Sequence, residues 1–236
     1  MTIAKKFRFL TGAILAALVA LTAVGASAQS TVFDNPGNRA RFGARVSLDV
    51  TCPGSISSDN GVKLDMFGGK AGISFGAVYQ LPLVANLYVE PGAMFYYDVT
   101  SVDTSVYSDL MDPEFAGMKS DMSLREFGLR VPVVVGYHFD FEQFVFKVFT
   151  GPQFDMGFRG RQHVTMKDGN VTVSESEGMY DMYNRLNVLW RLGAGIEIDN
   201  IDIELAGAFG MRNMVDVPGK VEWKRSLFQL TLGYNF

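Results

Sequence analysis

The side chains able to do chemistry are few, and one spacing governs most of them. His138 and His163 are the only histidines. His138 ends an apolar alternating run and His163 falls in a long polar stretch, so the two are expected at opposite ends of the fold. They then share neither a metal ion nor an active site. No Ser–His–Asp arrangement and no metal-ligand spacing is evident. The sequence predicts no catalytic residue, no cofactor and no metal ion. Cys52 is the single cysteine and reads as a free thiol in a loop, since it has no partner for an internal disulfide.

The remaining candidates are charges. Arg41, Arg45, Glu90, Glu126, Arg130, Lys147, Asp155, Arg191, Glu197, Asp202 and Glu204 fall on the polar side of alternating runs, among many glycines. Asp49, Arg159 and Arg212 share that side. Charges of both signs on one face can neutralise each other away from water. Two readings follow. Glu126 with Arg130, or Lys147 with Glu197, lines a polar path; or the whole set is a structural network filling an interior. The acidic, aromatic stretch SESEGMYDMYNR, Ser174 to Arg185, is either a solvated loop or a place to bind a cation or a partner.

Period-2 alternation positions these charges, and it marks a strand with two unlike faces. It occurs in eight segments. Phe42, Ala44, Val46, Leu48 and Val50 define the first, and Ile73, Phe75, Ala77, Tyr79 and Leu81 the second. Leu87 to Tyr97, Phe127 to Tyr137, Phe144 to Phe158, Val188 to Ile198 and Ile201 to Met211 follow. The eighth is SLFQLTLGYNF, where Phe228, Leu230, Leu232, Tyr234 and Phe236 share a face. Pro91, Pro132 and Pro152 each remove a ladder donor, so bulges or irregularities are expected there. Tight turns at 81–87, 139–143 and 199–200 alternate with long polar stretches at 51–70, 98–121, 159–184 and 213–223. That is the pattern of an up-and-down antiparallel barrel with one end facing outward.

Alternation does not fix which face is inside; a soluble lipocalin-like barrel turns its apolar face inward. Three observations favour apolar-out. The apolar face is nearly free of charge along its middle, with Arg125 and Lys224 at the long-loop ends. A lipid-facing Arg or Lys costs about 2–4 kcal/mol at mid-depth and about 0–1 near the interface. Aromatics gather at both ends of that face, as two membrane girdles would. The mixed charges and glycines opposite suit an eight-stranded lumen, which is only wide enough for side chains to fill. The expectation is an all-β, eight-stranded transmembrane barrel.

Lys5, Lys6 and Arg8, then an apolar run from Phe9 to about Val24, then Ala26-Ser27-Ala28, form the pattern of a secretory signal at residues 1–28. The barrel domain is then 29–236, with 18 basic against 25 acidic residues, a net charge of −7. This excludes nucleic acid as an expected partner. After the signal no apolar run approaches the roughly 20 residues of a membrane helix, so strands must do any spanning.

The closing QLTLGYNF resembles the C-terminal signal of bacterial outer-membrane proteins. The resemblance implies that Tyr234 and Phe236 are read by the barrel-assembly machinery. The segment 29–236 resembles small OmpA/OmpX-like barrels, and FGLRVPVVVGYHF with FKVFTGPQF is similar to the PorT-like porin-family barrels of Bacteroidetes, with Pro132 and Gly151-Pro152 as the matching positions. That resemblance implies an outer-membrane location. The functional expectation is a non-enzymatic barrel in outer-membrane lipid, serving structure, adhesion or binding of an unidentified extracellular ligand through four long loops. The alternatives are a narrow passive channel and an assembly component of a secretion system.

Overall fold

The computed structural model describes residues 40–58, 63–64, 67–103, 119–168, 171–181, 183–215 and 221–236. The expected signal at 1–28 lies outside them. Eight strands form the barrel: β1 Arg41–Pro53, β2 Ala71–Pro82, β3 Leu87–Asp103, β4 Lys119–Asp140, β5 Val145–Asp168, β6 Leu186–Ile198, β7 Ile201–Gly210 and β8 Arg225–Asn235. Each pairs antiparallel with the next. Closure comes from β1 and β8, with Leu48 opposite Leu230 and Val46 opposite Leu232. No sheet edge is left in the barrel wall, as lipid requires of a spanning sheet.

The two faces separate as the alternation predicts. On β8, Leu227, Gln229, Thr231, Gly233 and Asn235 are buried, while Phe228, Leu230, Leu232, Tyr234 and Phe236 are exposed. Exposed here means facing outward, and the outward band is aliphatic. Leu48, Leu230 and Leu205 adjoin across three strands at its middle. Aromatics flank it. Toward the short turns Phe42 lies 4.5 Å from Tyr79, and Tyr137 lies 4.8 Å from Phe139. Toward the long loops Phe75, Phe95, Phe127 and Phe158 form a row at centroid spacings of 6.0, 6.1 and 6.2 Å. From Phe127 to Phe139 the strand makes twelve rises of about 3.4 Å, and at a tilt of about 40° this spans about 30 Å, the thickness of a bilayer core.

Several expectations are corrected. The long stretches are partly strand: β3, β4 and β5 run on past the girdle, and Val171–Gly178 pairs with β5. Cys52 lies within β1 opposite Ser226, half-buried, and not in a loop. At Pro91, Pro132 and Pro152 the ladders are interrupted, the local irregularity expected there, and resume in the same register. The register shift falls elsewhere, at Phe127/Gly128 opposite Phe158. There two residues of β5 oppose one of β4, a bulge that changes the phase of everything beyond it. Arg159 is therefore exposed and not in the lumen, and so is Arg161. Arg212 is also exposed, where it donates to Asn184 Oδ1 at 3.4 Å beyond the end of β7.

Tight turns need special backbone. Asp199 takes φ 54° in the two-residue β6–β7 link, and Ala85 and Asn86 take φ 51° and 65° between β2 and β3. Inside the barrel, glycine makes room for rings. A Cβ on Gly136 would collide with the Tyr88 ring, and one on Gly193 with the Phe149 ring. Both rings are buried. We expect Gly136→Val to cost about 1–3 kcal/mol by overpacking, read as a lower urea midpoint of the folded form. Tyr88→Ala in the same chain should recover part of that loss; no recovery would refute this ring–glycine account.

Candidate functional site

The lumen is layered. Nearest the short turns, Arg41 grips Glu197 through Nη1–Oε1 at 2.5 Å and Nη2–Oε2 at 3.1 Å, and reaches Gln80 Oε1 at 2.7 Å. The Tyr88 and His138 rings stack at 4.3 Å beside Gln80. A second group surrounds Arg45, which donates to Asp202 Oδ2 at 2.9 Å, Glu90 Oε2 at 3.4 Å and Asn235 Oδ1 at 2.8 Å. Lys147 joins Asp202 and Glu204, and Arg191 reaches Glu204 Oε2 at 3.2 Å. Tyr88 also belongs to a buried apolar cluster with Val134, Phe149 and Ala206.

The next charged layer centres on Arg130. Its Nη1 donates to Asp49 Oδ2 at 2.6 Å, its Nη2 to Asp98 Oδ2 at 3.0 Å and Asp155 Oδ2 at 3.1 Å, and its Nε to Asp155 Oδ1 at 3.1 Å. The guanidinium also lies over the Tyr96 ring, 4.8 Å from the centroid. Gln229, Gln153 and Ser47 donate to the same carboxylates. Further out, Arg225 Nη1 holds Glu126 Oε2 at 2.6 Å. Among the described residues no side-chain hydrogen bond joins the Arg45 layer to the Arg130 layer, or the Arg130 layer to Glu126, so hydrogen bonds do not form one unbroken chain along the lumen.

An apolar lid closes the outer end. Leu124, Met179, Met214 and Trp223 form one buried cluster, with Tyr180, Tyr183 and Val215 packed on it. Two chain stretches are stitched together there: Tyr183 bridges Val215, Asn184 N donates to Met214 O and Met214 N to Trp223 O, each at 2.8 Å. Tyr180 OH donates to Glu126 Oε1 at 3.0 Å, fixing the lid to the lumen charges. Burial and the adjacent carboxylate push the Tyr180 hydroxyl's pKa up. The part of the Ser174–Arg185 stretch around Tyr180 and Tyr183 is therefore a lid and not a solvated loop.

Arg45, Glu90, Glu126, Arg130, Lys147, Asp155, Arg191, Glu197, Asp202, Glu204 and Asp49 are buried inside and Arg41 is half-buried at the inner end, whereas Arg159 and Arg212 lie outside. Glu126 and Arg130 bond within different groups, as do Lys147 and Glu197, so each of these residues takes part in a lumen network. The sequence reading missed Asp98, Arg225 and the lid. A signal existed for the first two: Asp98 continues the every-second series Tyr88, Glu90, Gly92, Met94, Tyr96, and Arg225 continues Gln229 and Leu227. His138 and His163 lie far apart along β4 and β5, near the short turns and in the outer extension.

A closed antiparallel barrel with an apolar outer band, two aromatic girdles and a charge-filled lumen defines a small membrane-spanning β-barrel. Residues 27–216 match the family described as "Outer membrane protein beta-barrel domain". The chain belongs to that family, and its place is the outer membrane. No curated protein matches it. Among solved structures, Ail of Yersinia pestis, in complex with the heparin analogue sucrose octasulfate, is 13% identical with a TM-score of 0.39, over 84% of this chain and 99% of that one. OprG from Pseudomonas aeruginosa is 12% identical with a TM-score of 0.40, over 83% and 95%. Neisserial surface protein A is 11% identical with a TM-score of 0.36, over 83% and 97%.

Proposed function

We propose that this protein is a non-enzymatic, non-conducting barrel that anchors a binding or structural surface at the outside of the outer membrane. One observation carries the reading: the lumen charges fall into separate ion-paired groups, around Arg41, Arg45 with Lys147, Arg130 and Arg225, beneath the Leu124–Met179–Met214–Trp223 lid. An ion crossing it would have to displace buried, paired charges, which costs several kcal/mol per ion. Long loops on a rigid scaffold are where binding concentrates, and here the rigid part extends outward as the upper halves of β4 and β5.

The test is reconstitution in a planar bilayer. We expect no steady current from the folded protein at neutral pH. Stepwise conductance that Trp223→Ala leaves unchanged would reverse the proposal in favour of a passive channel.

The N-terminal pattern at 1–28 supports export by a cleaved signal, and Tyr234 and Phe236 support recognition by the assembly machinery. Pro132 and Gly151-Pro152 support PorT-like kinship and a place in assembling a secretion system. Loss of secreted cargo in a deletion strain would favour that second reading over an anchoring role.

A further inference from the structure

The charges outside the lumen are distributed unevenly. Arg41, Arg45, Arg130, Arg191 and Arg225 are each ion-paired. Arg185 lies over the Tyr180 ring and Arg212 donates to Asn184. Arg125, Arg159 and Arg161 alone among the described arginines have no ion pair, hydrogen bond or ring contact. All three are exposed. They sit together: Arg125 is directly opposite Arg161 in the β4–β5 ladder, and Arg159 is opposite Phe127.

We propose that Arg125, Arg159 and Arg161 bind the phosphomonoester headgroup of a glycolipid in the outer leaflet. This goes beyond the anchoring role and does not depend on whether the lumen conducts. Height is the first argument. Arg125 is two residues beyond Phe127, so its backbone lies about 7 Å or less above the girdle. The headgroup layer on each side of a bilayer core is about 5–8 Å thick. Arg125 and Arg161 therefore stand at phosphate level on the lipid-facing side of the wall, and Arg159, opposite Phe127 at the girdle, is long enough to reach that level.

Charge is the second argument. Like charges directly opposite on a ladder destabilise it, and among the described side chains no carboxylate pairs with them: Glu126 and Asp98 are buried in the lumen. A phosphomonoester carries about −1.5 to −2 and offers three acceptor oxygens, matching guanidinium forks that bind phosphate in bidentate fashion. The bulge is the third. Simple alternation sends Arg159 inward; the extra residue at Phe158 turns it out beside Arg161. Bulges are features that re-aim a side chain. Below the arginines the exposed Phe95–Phe127–Phe158 row gives acyl chains an apolar wall.

The experiment titrates the folded full-length protein in detergent with bisphosphorylated lipid A and with the same lipid stripped of phosphate, reading bound lipid by native mass spectrometry. We expect preferential retention of the phosphorylated form. The triple variant R125Q/R159Q/R161Q should bind it at least about tenfold more weakly, the worth of one charge-assisted hydrogen bond. Its urea midpoint in zwitterionic vesicles should not fall, because the opposed like charges are removed. Equal binding by the triple variant, or equal binding of the dephosphorylated lipid, overturns the site. So does complete displacement by millimolar inorganic phosphate, which would assign a free-anion site instead. Should the triple variant fail to fold, the single changes R125Q and R161Q read the same ratio, and an unaltered ratio in both overturns the proposal.

Discussion

Replacing Arg130 with Met should lower the stability of the folded barrel by about 3–5 kcal/mol, the usual cost of removing one partner from a buried ion pair. Arg130 touches Asp49, Asp98 and Asp155 at 2.6, 3.0 and 3.1 Å, and all four side chains are almost wholly buried. Without the guanidinium, three carboxylates share a closed space with Gln153, Gln229 and Ser47, none of which carries charge. Lys at this position keeps the charge but not the planar fork, and it cannot reach three carboxylates with the same directed bonds; Arg130→Lys should fall between wild type and Arg130→Met. Combining Arg130→Met with Asp49→Asn and Asp155→Asn should restore part of the loss, because the penalty is unpaired charge and not lost volume. The measurement is the urea midpoint of the form whose gel mobility changes on heating. A loss below about 1 kcal/mol for Arg130→Met would show that the lumen is well hydrated around Asp98.

The second large effect tests which face meets lipid. Leu230→Arg places a cation between Leu48 and Leu205 at the middle of the outward band, and all three leucines are at least half exposed there. The expected cost is about 2–4 kcal/mol at mid-depth. Cys52→Arg, four residues further out along β1 from Leu48, should cost about 0–1 kcal/mol, because the side chain can reach the interface. The depth dependence is the diagnostic. If this outward face met water instead of lipid, both sites would be solvated and the two variants would have similar stability.

Much of the fold was legible in the residue pattern. Period 2 on β8 separates Leu230 from Gln229, and burial separates them the same way. The inward series on β4, from His138 through Arg130 to Glu126, was readable for the same reason: a pleated strand has only two sides. The reading failed where the period broke or where it stopped. Nothing in MGFRGRQ announces that Phe158 is an extra residue, because a bulge depends on the partner strand's register and on which hydrogen bonds survive closure. Met179, Met214 and Trp223 were left within polar loops, since apolar residues without a period carry no direction until a tertiary partner supplies one.

Strand number, antiparallel order, the outward apolar band and the sign-balanced interior were determined by the sequence itself, because alternation and the cost of a charge in lipid are local, per-residue effects. Which charges pair was decided only by the closed tertiary structure. Arg130 meets Asp49 across 81 positions of chain and Arg225 meets Glu126 across 99, and the stagger of the closed barrel sets those meetings. The same holds for the three outward arginines, whose grouping depends on one extra residue in one strand, a property of the pairing and not of either strand alone.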